Sequence, residues 1–455
     1  HRDRLRAAVS LRRGRAMIVT LWRRYHHAIR QLALLSGEKG CRIVVVALTG
    51  ALVARTLGPS DYGQLNLALS LAYVVSPLSR LGLEEILIRD IAREPSRSGA
   101  MVRTGMVLRF VGSLVPLLGC GIALALGLIP ASLAALLPIL LLMPAAQVLD
   151  TPSTYLLAMG RAGQVAATRL ASLVTGAALR IGGVLMGAAL PWFAVTYVIE
   201  TAVHGLSGLF MARQRTEREP RAFDVQLAWQ LLKECRYVAA LYIVGDLAIR
   251  ADMLILAFFT SAHEIGIYAF GMRFVEALYM LPVVAGSLVL PALAKQTSPA
   301  AARQLVVRLG MLACVGFGML ALVGAGLARP LVWLLGGPLY ADSVAVVEIS
   351  MIGLPLTAVA IVRYHYLVAL GRLRLLALLT LLDASVTILV TTLFCWQWGM
   401  LGAAWAHGIA RGLNLITSYC LVADLRTLPI LTFGRDLLAQ ASKIGLRGRY
   451  RQEPI

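Results

Sequence analysis

Two apolar stretches of the sequence carry opposite charges at spacings that matter. Residues 236–259, RYVAALYIVGDLAIRADMLILAFF, hold Asp246, Arg250 and Asp252, and residues 266–282, GIYAFGMRFVEALYMLP, hold Arg273 and Glu276. On a helix Asp246 and Arg250 are i,i+4 neighbours and Arg273 and Glu276 are i,i+3 neighbours, so each pair can neutralise itself on one face. Asp252 lies about 200° round from Arg250 at 3.6 residues per turn and points elsewhere. Both charge groups fall within about ten residues of the short connection between the stretches, so at 1.5 Å per residue they share a depth. Such a cluster suits the wall of a polar cavity; the competing reading is a structural network.

Other charges stand in apolar runs as well: Arg180, Glu200, His204, Glu348, Arg363, His365, Asp383, His407 and Arg411. A charge in hydrocarbon costs at least about 2.5–3.5 kcal/mol, so each needs a partner or water. Glu200 with His204, and His407 with Arg411, sit at i,i+4 and read as hydrogen-bonded core pairs. Arg363 is near enough to the inner surface to snorkel. Asp383 has no complementary neighbour on its own helix and must find one across the bundle or stay protonated. Guanidinium groups present a planar fork that matches phosphate and stays charged when desolvated. Arg250, Arg273, Arg363 and Arg411 therefore point to an anionic, phosphorylated cargo, while Asp252, Glu276 and Asp383 are candidates for proton or sodium linkage.

The elements that must position these residues are membrane spans. Of 455 residues 59% are hydrophobic and 15% charged, and the mean hydropathy is +0.77, which is the composition of a multi-span membrane protein. A span needs about 20 mostly apolar residues to cross roughly 30 Å of hydrocarbon. Runs of that length predict about twelve helices, at 36–55, 62–83, 105–127, 131–149, 165–189, 192–212, 237–259, 264–290, 304–327, 343–368, 374–395 and 399–423. The expected class is an all-α integral membrane protein.

The formal net charge of +20 raises the question of nucleic acid. With the N-terminus inside, however, the outer connections hold only Arg55 and Arg329, and Arg180, Arg250, Arg273, Arg363 and Arg411 fall within spans; the other basic residues belong to the inner ends and termini. This positive-inside asymmetry places both termini in the cytoplasm and makes nucleic-acid binding unnecessary. Six cysteines are scattered singly, without metal-ligand spacing, and read as small core hydrophobes. No cofactor or metal is expected, and no phosphate loop of the ATP-binding type is found. The basic opening segment, with Trp22, Tyr25 and Leu32 among arginines, suits either a solvated flank or a helix on the membrane surface. Met17 is a candidate start, and the first span is expected to serve as its own insertion signal.

Internal duplication organises the chain. Asp61 and Gly63 are followed by Glu264 and Gly266 at an offset of 203 residues, while Tyr155, Leu156, Ala158, Gly160 and Arg161 match Tyr366, Leu367, Ala369, Gly371 and Arg372 at 211. An insertion of eight residues reconciles the two, and the second outer connection, ARPLVWLLGGPLYADS, exceeds its counterpart GLIPAS by about that much. The expected organisation is a basic cytoplasmic segment 1–35, a six-helix lobe 36–212, a cytoplasmic linker 213–235, a second six-helix lobe 236–424 and a basic cytoplasmic tail 425–455. Six spans return the chain to the same side, so the lobes are parallel repeats, a transporter plan.

The pattern ALVARTLGPSDYGQLNLALSLAYVVSPLSRLGL, the second-half residues Asp252, Gly266, Ile267, Tyr268, Arg273 and Pro291, and the run Ala369 to Arg372 together resemble the polysaccharide-export flippases, O-antigen translocase type, of the multidrug/oligosaccharidyl-lipid/polysaccharide (MOP) superfamily. The likeness covers about residues 36 to 424. It implies two six-helix lobes around a basic central cavity, in the bacterial inner membrane, carrying an undecaprenyl-pyrophosphate-linked oligosaccharide from the inner to the outer leaflet by alternating access. Relatives that flip peptidoglycan precursor use arginines on spans 1, 2 and 8, to which Arg42, Arg80 and Arg273 correspond by position; those relatives carry two extra helices. The implied partners are the lipid-linked substrate, the bilayer and polysaccharide assembly proteins. The alternatives are a cation-coupled multidrug exporter of the same superfamily, a membrane glycosyltransferase or polymerase, which would want larger outer loops, and an assembly scaffold.

Overall fold

The computed structural model describes residues 2–216, 223–294, 296 and 298–421. The expected tail 425–455 and residues 217–222 of the expected linker lie outside the described residues, as do the side chains of Trp22, Tyr25 and Leu32 in the opening segment. Among the described residues the chain is helical without strands. Eight helices are long and apolar enough to cross a membrane, which makes this a multi-pass membrane protein. Two of the eight, Gly40–Arg93 and Arg374–Leu421, run for 54 and 48 residues, roughly twice what the hydrocarbon needs. Each is broken at a glycine: Gly58, with φ 73° and ψ 169°, and Gly399, with φ 53° and ψ −130°. Gly58 precedes Pro59, and the break falls at a residue free to take positive φ. Two further long helices, Ala162–Leu185 and Val225–Phe259, stand outside the eight.

The chain forms two compact units, one of residues His1–Arg273 with Leu331–Ser343, the other of Phe274–Pro330 with Val344–Ile455. In the first unit the short helix Leu83–Arg93 is amphipathic. Its Leu83, Ile86, Leu87 and Ile91 fall on one face and pack with Met101, Tyr155, Leu156, Val165, Leu227, Leu231 and Cys235. Elsewhere in this unit Tyr340, from the longer connection ARPLVWLLGGPLYADS, donates its hydroxyl to the Ala54 carbonyl at 2.8 Å and stacks its ring 4.3 Å from Phe270. Ser343 donates to the Ile267 carbonyl at 2.7 Å. The extra length of that connection thus has a packing role.

Also in the first unit, a Cβ placed on Gly63 would collide with the carbonyl oxygen of Ala262, and one placed on Gly266 with that of Pro59. Ala262 follows Pro59 at the same interval as Gly266 follows Gly63, so the two hairpin tips meet reciprocally, as copies about a local two-fold axis would.

The second unit has its own core, in which Tyr366 and Leu367 join Val289, Leu293, Val306, Val362, Leu376 and Leu379. Their repeat counterparts, Tyr155 and Leu156, lie in the core of the first unit. The glycines that follow end their helices alike. Gly160 has φ 71° and Gly371 φ 68°; Arg161 N–H reaches the Leu156 carbonyl at 2.8 Å and Arg372 N–H that of Leu367 at 3.1 Å. This is the Schellman termination, in which glycine takes the left-handed position. The repeated Gly-Arg pair is therefore a helix stop in both copies.

Candidate functional site

Tyr62, Asn66, Tyr73 and Arg80 follow one another at intervals of four, seven and seven residues, which keeps them on one face of the helix arm after Gly58. That face meets Arg273. The Arg273 Nε donates to the Tyr62 hydroxyl oxygen at 2.5 Å and its Nη2 to Asn66 Oδ1 at 3.3 Å, with the guanidinium carbon 5.6 Å from the Tyr62 ring centre. Arg250, from Val225–Phe259, lies over the Tyr73 ring at 5.1 Å.

Behind these stands a second group of charges. Glu200, on Leu190–Thr216, accepts from Arg180 Nη2 at 2.5 Å and from Arg42 Nη2 at 3.4 Å. The Arg180 guanidinium sits 4.1 Å from the Tyr197 ring centre. Tyr197 is in electrostatic range of Arg180, Arg273 and Glu200, and Tyr73 of Arg250, Arg180 and Glu200. Guanidinium groups from four helices, those of Arg42, Arg180, Arg250 and Arg273, thus converge on two phenols and a carboxylate within one unit.

Farther from Gly58 the chain from Tyr73 to Arg89 meets Val225–Phe259 in an antiparallel ladder of ion pairs and rings. Tyr73 faces Arg250, Arg80 Nη2 donates to Asp246 Oδ2 at 2.5 Å, the Tyr242 hydroxyl donates to Glu85, and Arg89 Nη2 donates to Glu234 Oε2 at 2.6 Å. Tyr242, Asp246 and Arg250 recur every four residues, so one stripe of Val225–Phe259 supplies these partners.

The profile of the family described as "polysaccharide biosynthesis protein" matches residues 41–297, more than half of the sequence. The chain belongs to that family. No curated protein matches it in sequence. The solved structure of the lipid II flippase MurJ in an inward closed conformation matches with a TM-score of 0.68 at 12% identity, over 87% of this chain and 89% of that one. An inward-facing multidrug resistance MATE family transporter of the MOP superfamily matches with 0.64 at 13% identity, over 86% and 95%. A mutant of the Vibrio cholerae MATE transporter VcmN gives 0.59 at 14%, over 88% and 96%. The polysaccharide biosynthesis family member therefore has the MOP fold, as its sequence resemblance led one to expect.

Within this family member the residues singled out by sequence divide sharply. Arg42, Arg80, Arg250 and Arg273 all lie in the first unit, on the surfaces just described. Arg363 and Asp383 lie in the second and bind each other at 3.1 Å, with Arg363 also donating to Ser418 and, at 3.4 Å, to the Asn414 carbonyl. The across-bundle partner that Asp383 required is thus Arg363. Arg411, half-buried in the second unit, is in electrostatic range of Tyr279, His407 and Asp383. Asp252 accepts from the Tyr268 hydroxyl at 2.6 Å and from the Met253 N–H at 2.7 Å. Glu276 is exposed.

Two of the pairings read along single helices, Asp246 with Arg250 and Glu200 with His204, give way to pairings across helices. Asp246 takes Arg80, Glu200 takes Arg180 and Arg42, and His204 Nε2 instead lies 2.9 Å from Asp150 Oδ1. Sequence reasoning left Arg109 among the inner charges, although it falls inside the third expected span. It is 2% exposed and donates to Thr151 Oγ1 at 3.1 Å, with Asp150 and Glu84 in electrostatic range. Tyr62, Asn66, Tyr73 and Tyr197 were also missed; the regular spacing of the first three with Arg80 was the available signal. Of the cysteines, Cys120, Cys235 and Cys395 are buried, and Cys41 and Cys420 are exposed.

Proposed function

We propose that the protein flips an undecaprenyl-pyrophosphate-linked oligosaccharide from the inner to the outer leaflet during cell-surface polysaccharide biosynthesis, by alternating access. The observation that carries this reading is the convergence of Arg42, Arg180, Arg250 and Arg273 from four helices beside Tyr73 and Tyr197. Gathering like charges at one place is unfavourable unless an anion joins them, and a pyrophosphate offers the oxygens to engage several guanidinium forks. Membership of the polysaccharide biosynthesis family supports a glycan cargo, and the likeness to a lipid II flippase supports a lipid-linked one.

A twelve-span topology is supported by the eight apolar helices if the breaks at Gly58 and Gly399 each divide one of them and the long helices Ala162–Leu185 and Val225–Phe259 are added. Both termini then face the cytoplasm, in the inner membrane, with the two six-helix lobes at 36–212 and 236–424. Polysaccharide assembly proteins are the expected neighbours. Energy can enter through the membrane potential acting on the positive cluster, at about 2.3 kcal/mol per charge per 100 mV, or through proton or sodium exchange at Glu276, the exposed member of the three candidate carboxylates. Four gathered guanidinium groups against one carboxylate weigh against the cation-coupled exporter, which would favour carboxylates in its cavity.

The test replaces Arg250 and Arg273 separately by Ala and measures lipid-linked sugar reaching the outer leaflet. A loss of about tenfold or more at normal expression is expected, the scale of a hydrogen bond to a charged group. Undiminished flipping overturns the assignment.

A further inference from the structure

Resting on that reading, the next question is what occupies the arginine cluster when no cargo is bound. Glu200 is buried and turns one oxygen to each of two arginines, Oε2 to Arg180 at 2.5 Å and Oε1 to Arg42 at 3.4 Å. The two contacts are unequal. The Arg180 side chain is 3% exposed and fixed against the Tyr197 ring, whereas that of Arg42 is 46% exposed and held only at the long limit of a hydrogen bond. The neighbouring helix is cut away to admit the carboxylate, since a Cβ on Gly176 would lie 2.5 Å from Glu200 Oε2. A carboxylate spanning two guanidinium groups offers the same paired oxygens that a phosphate would offer them.

We infer that Glu200 is an internal stand-in for the cargo's pyrophosphate. Without cargo its Oε1 holds Arg42 at the cluster. An arriving pyrophosphate takes Arg42 over while Arg180 keeps Glu200 in place, and on departure Glu200 regains Arg42. Glu200 is in these terms a positioning residue: it keeps the cluster assembled, and by competing for Arg42 it limits how tightly the phosphate is held.

Inorganic pyrophosphate, titrated calorimetrically into the purified full-length protein in lipid nanodiscs, tests this. Glu200→Gln removes the charge that Arg180 needs and can fail to fold, so the informative variant is Glu200→Asp. It keeps a carboxylate for Arg180 and withdraws it from Arg42 by one methylene. Glu200→Asp is expected to bind pyrophosphate about tenfold tighter than wild type, a change of about 1.4 kcal/mol, with flipping slowed as release slows. Arg42→Gln is expected to weaken binding, and adding Glu200→Asp to it to gain nothing. A Glu200→Asp protein that binds no tighter than wild type, or that gains equally without Arg42, overturns the inference and leaves the cargo reading intact. Failure of wild type and all variants to bind pyrophosphate overturns the cargo reading itself, and this inference with it.

Discussion

Arg363 in the second unit and the arginines of the first unit look alike in sequence and live differently. Arg363 is buried, faces Asp383 one to one, and joins a closed set in which Asn414 Nδ2 donates to the Asp383 carbonyl at 3.3 Å and Thr387 to the same carbonyl at 2.7 Å. That set ties Gly353–Ala369 to the helix arm before Gly399 and the one after it. The first unit instead brings guanidinium groups from four helices to two phenols and Glu200. A guanidinium matched one to one with a carboxylate and carbonyls holds helices together; in the first unit four guanidinium groups instead share two phenols and one carboxylate, Glu200. The difference lies in the neighbours and in exposure, 8% for the Arg363 side chain against 46% for that of Arg42, not in the residue type.

The contrast is most severely tested at Arg363. Arg363→Ala leaves Asp383 half-buried without its partner and should lower stability by about 3–5 kcal/mol, read as the loss of folded protein on heating or in denaturant. Arg273→Ala should leave folding nearly intact while transport falls. If Arg363→Ala lost transport at full stability, the division between the two regions would collapse. Next in size, Gly266→Ala forces a methyl group into the Pro59 carbonyl and is expected to cost about 1–3 kcal/mol, as overpacking does, with Gly63→Ala matching it if the hairpin tips are reciprocal. A stable, fully active Gly266→Ala protein would show that this contact is loose.

Smaller effects come from the ladder. A double-mutant cycle on Arg80 and Asp246 should give a coupling of about 0.5–3 kcal/mol, because both are partly shielded. The same cycle on Arg89 and Glu234, whose side chains are 43% and 38% exposed, should give about 0.2–1 kcal/mol and fade in salt. Equal couplings would mean that burial does not grade the ladder.

Much of the architecture was legible in the sequence because it is written in periodicity and punctuation. Apolar runs, the Gly58-Pro59 turn and the repeated Gly160-Arg161 and Gly371-Arg372 stops are local features, set by hydropathy and by backbone conformations that glycine alone adopts readily. Asp383's need for a distant partner was legible for the same reason, since its own helix offered none. The identity of partners was not. Reasoning at i,i+4 sees a single helix, so it joined Glu200 to His204, whereas packing set Glu200 against Arg180 and Arg42 and left His204 to Asp150. Arg109 escaped because it lies near the charged stretch from Arg80 to Arg103, where a buried and a solvated arginine have the same sequence signature.

The antiparallel ladder between the Tyr62 to Arg89 stretch and Val225–Phe259 also has a kinematic consequence. Slipping one helix along the other by four residues, about 6 Å of travel, would in one direction bring Arg80 against Arg250 and Glu85 against Asp246. In the other it would set Arg80 against Tyr242 and Glu85 against Val238 and leave Asp246 without a cation. Parting the helices breaks the same contacts without forcing like charges together. The charge order along these two stretches therefore works as a ratchet, which opposes shear in one direction by like charges and in the other only by the loss of ion pairs.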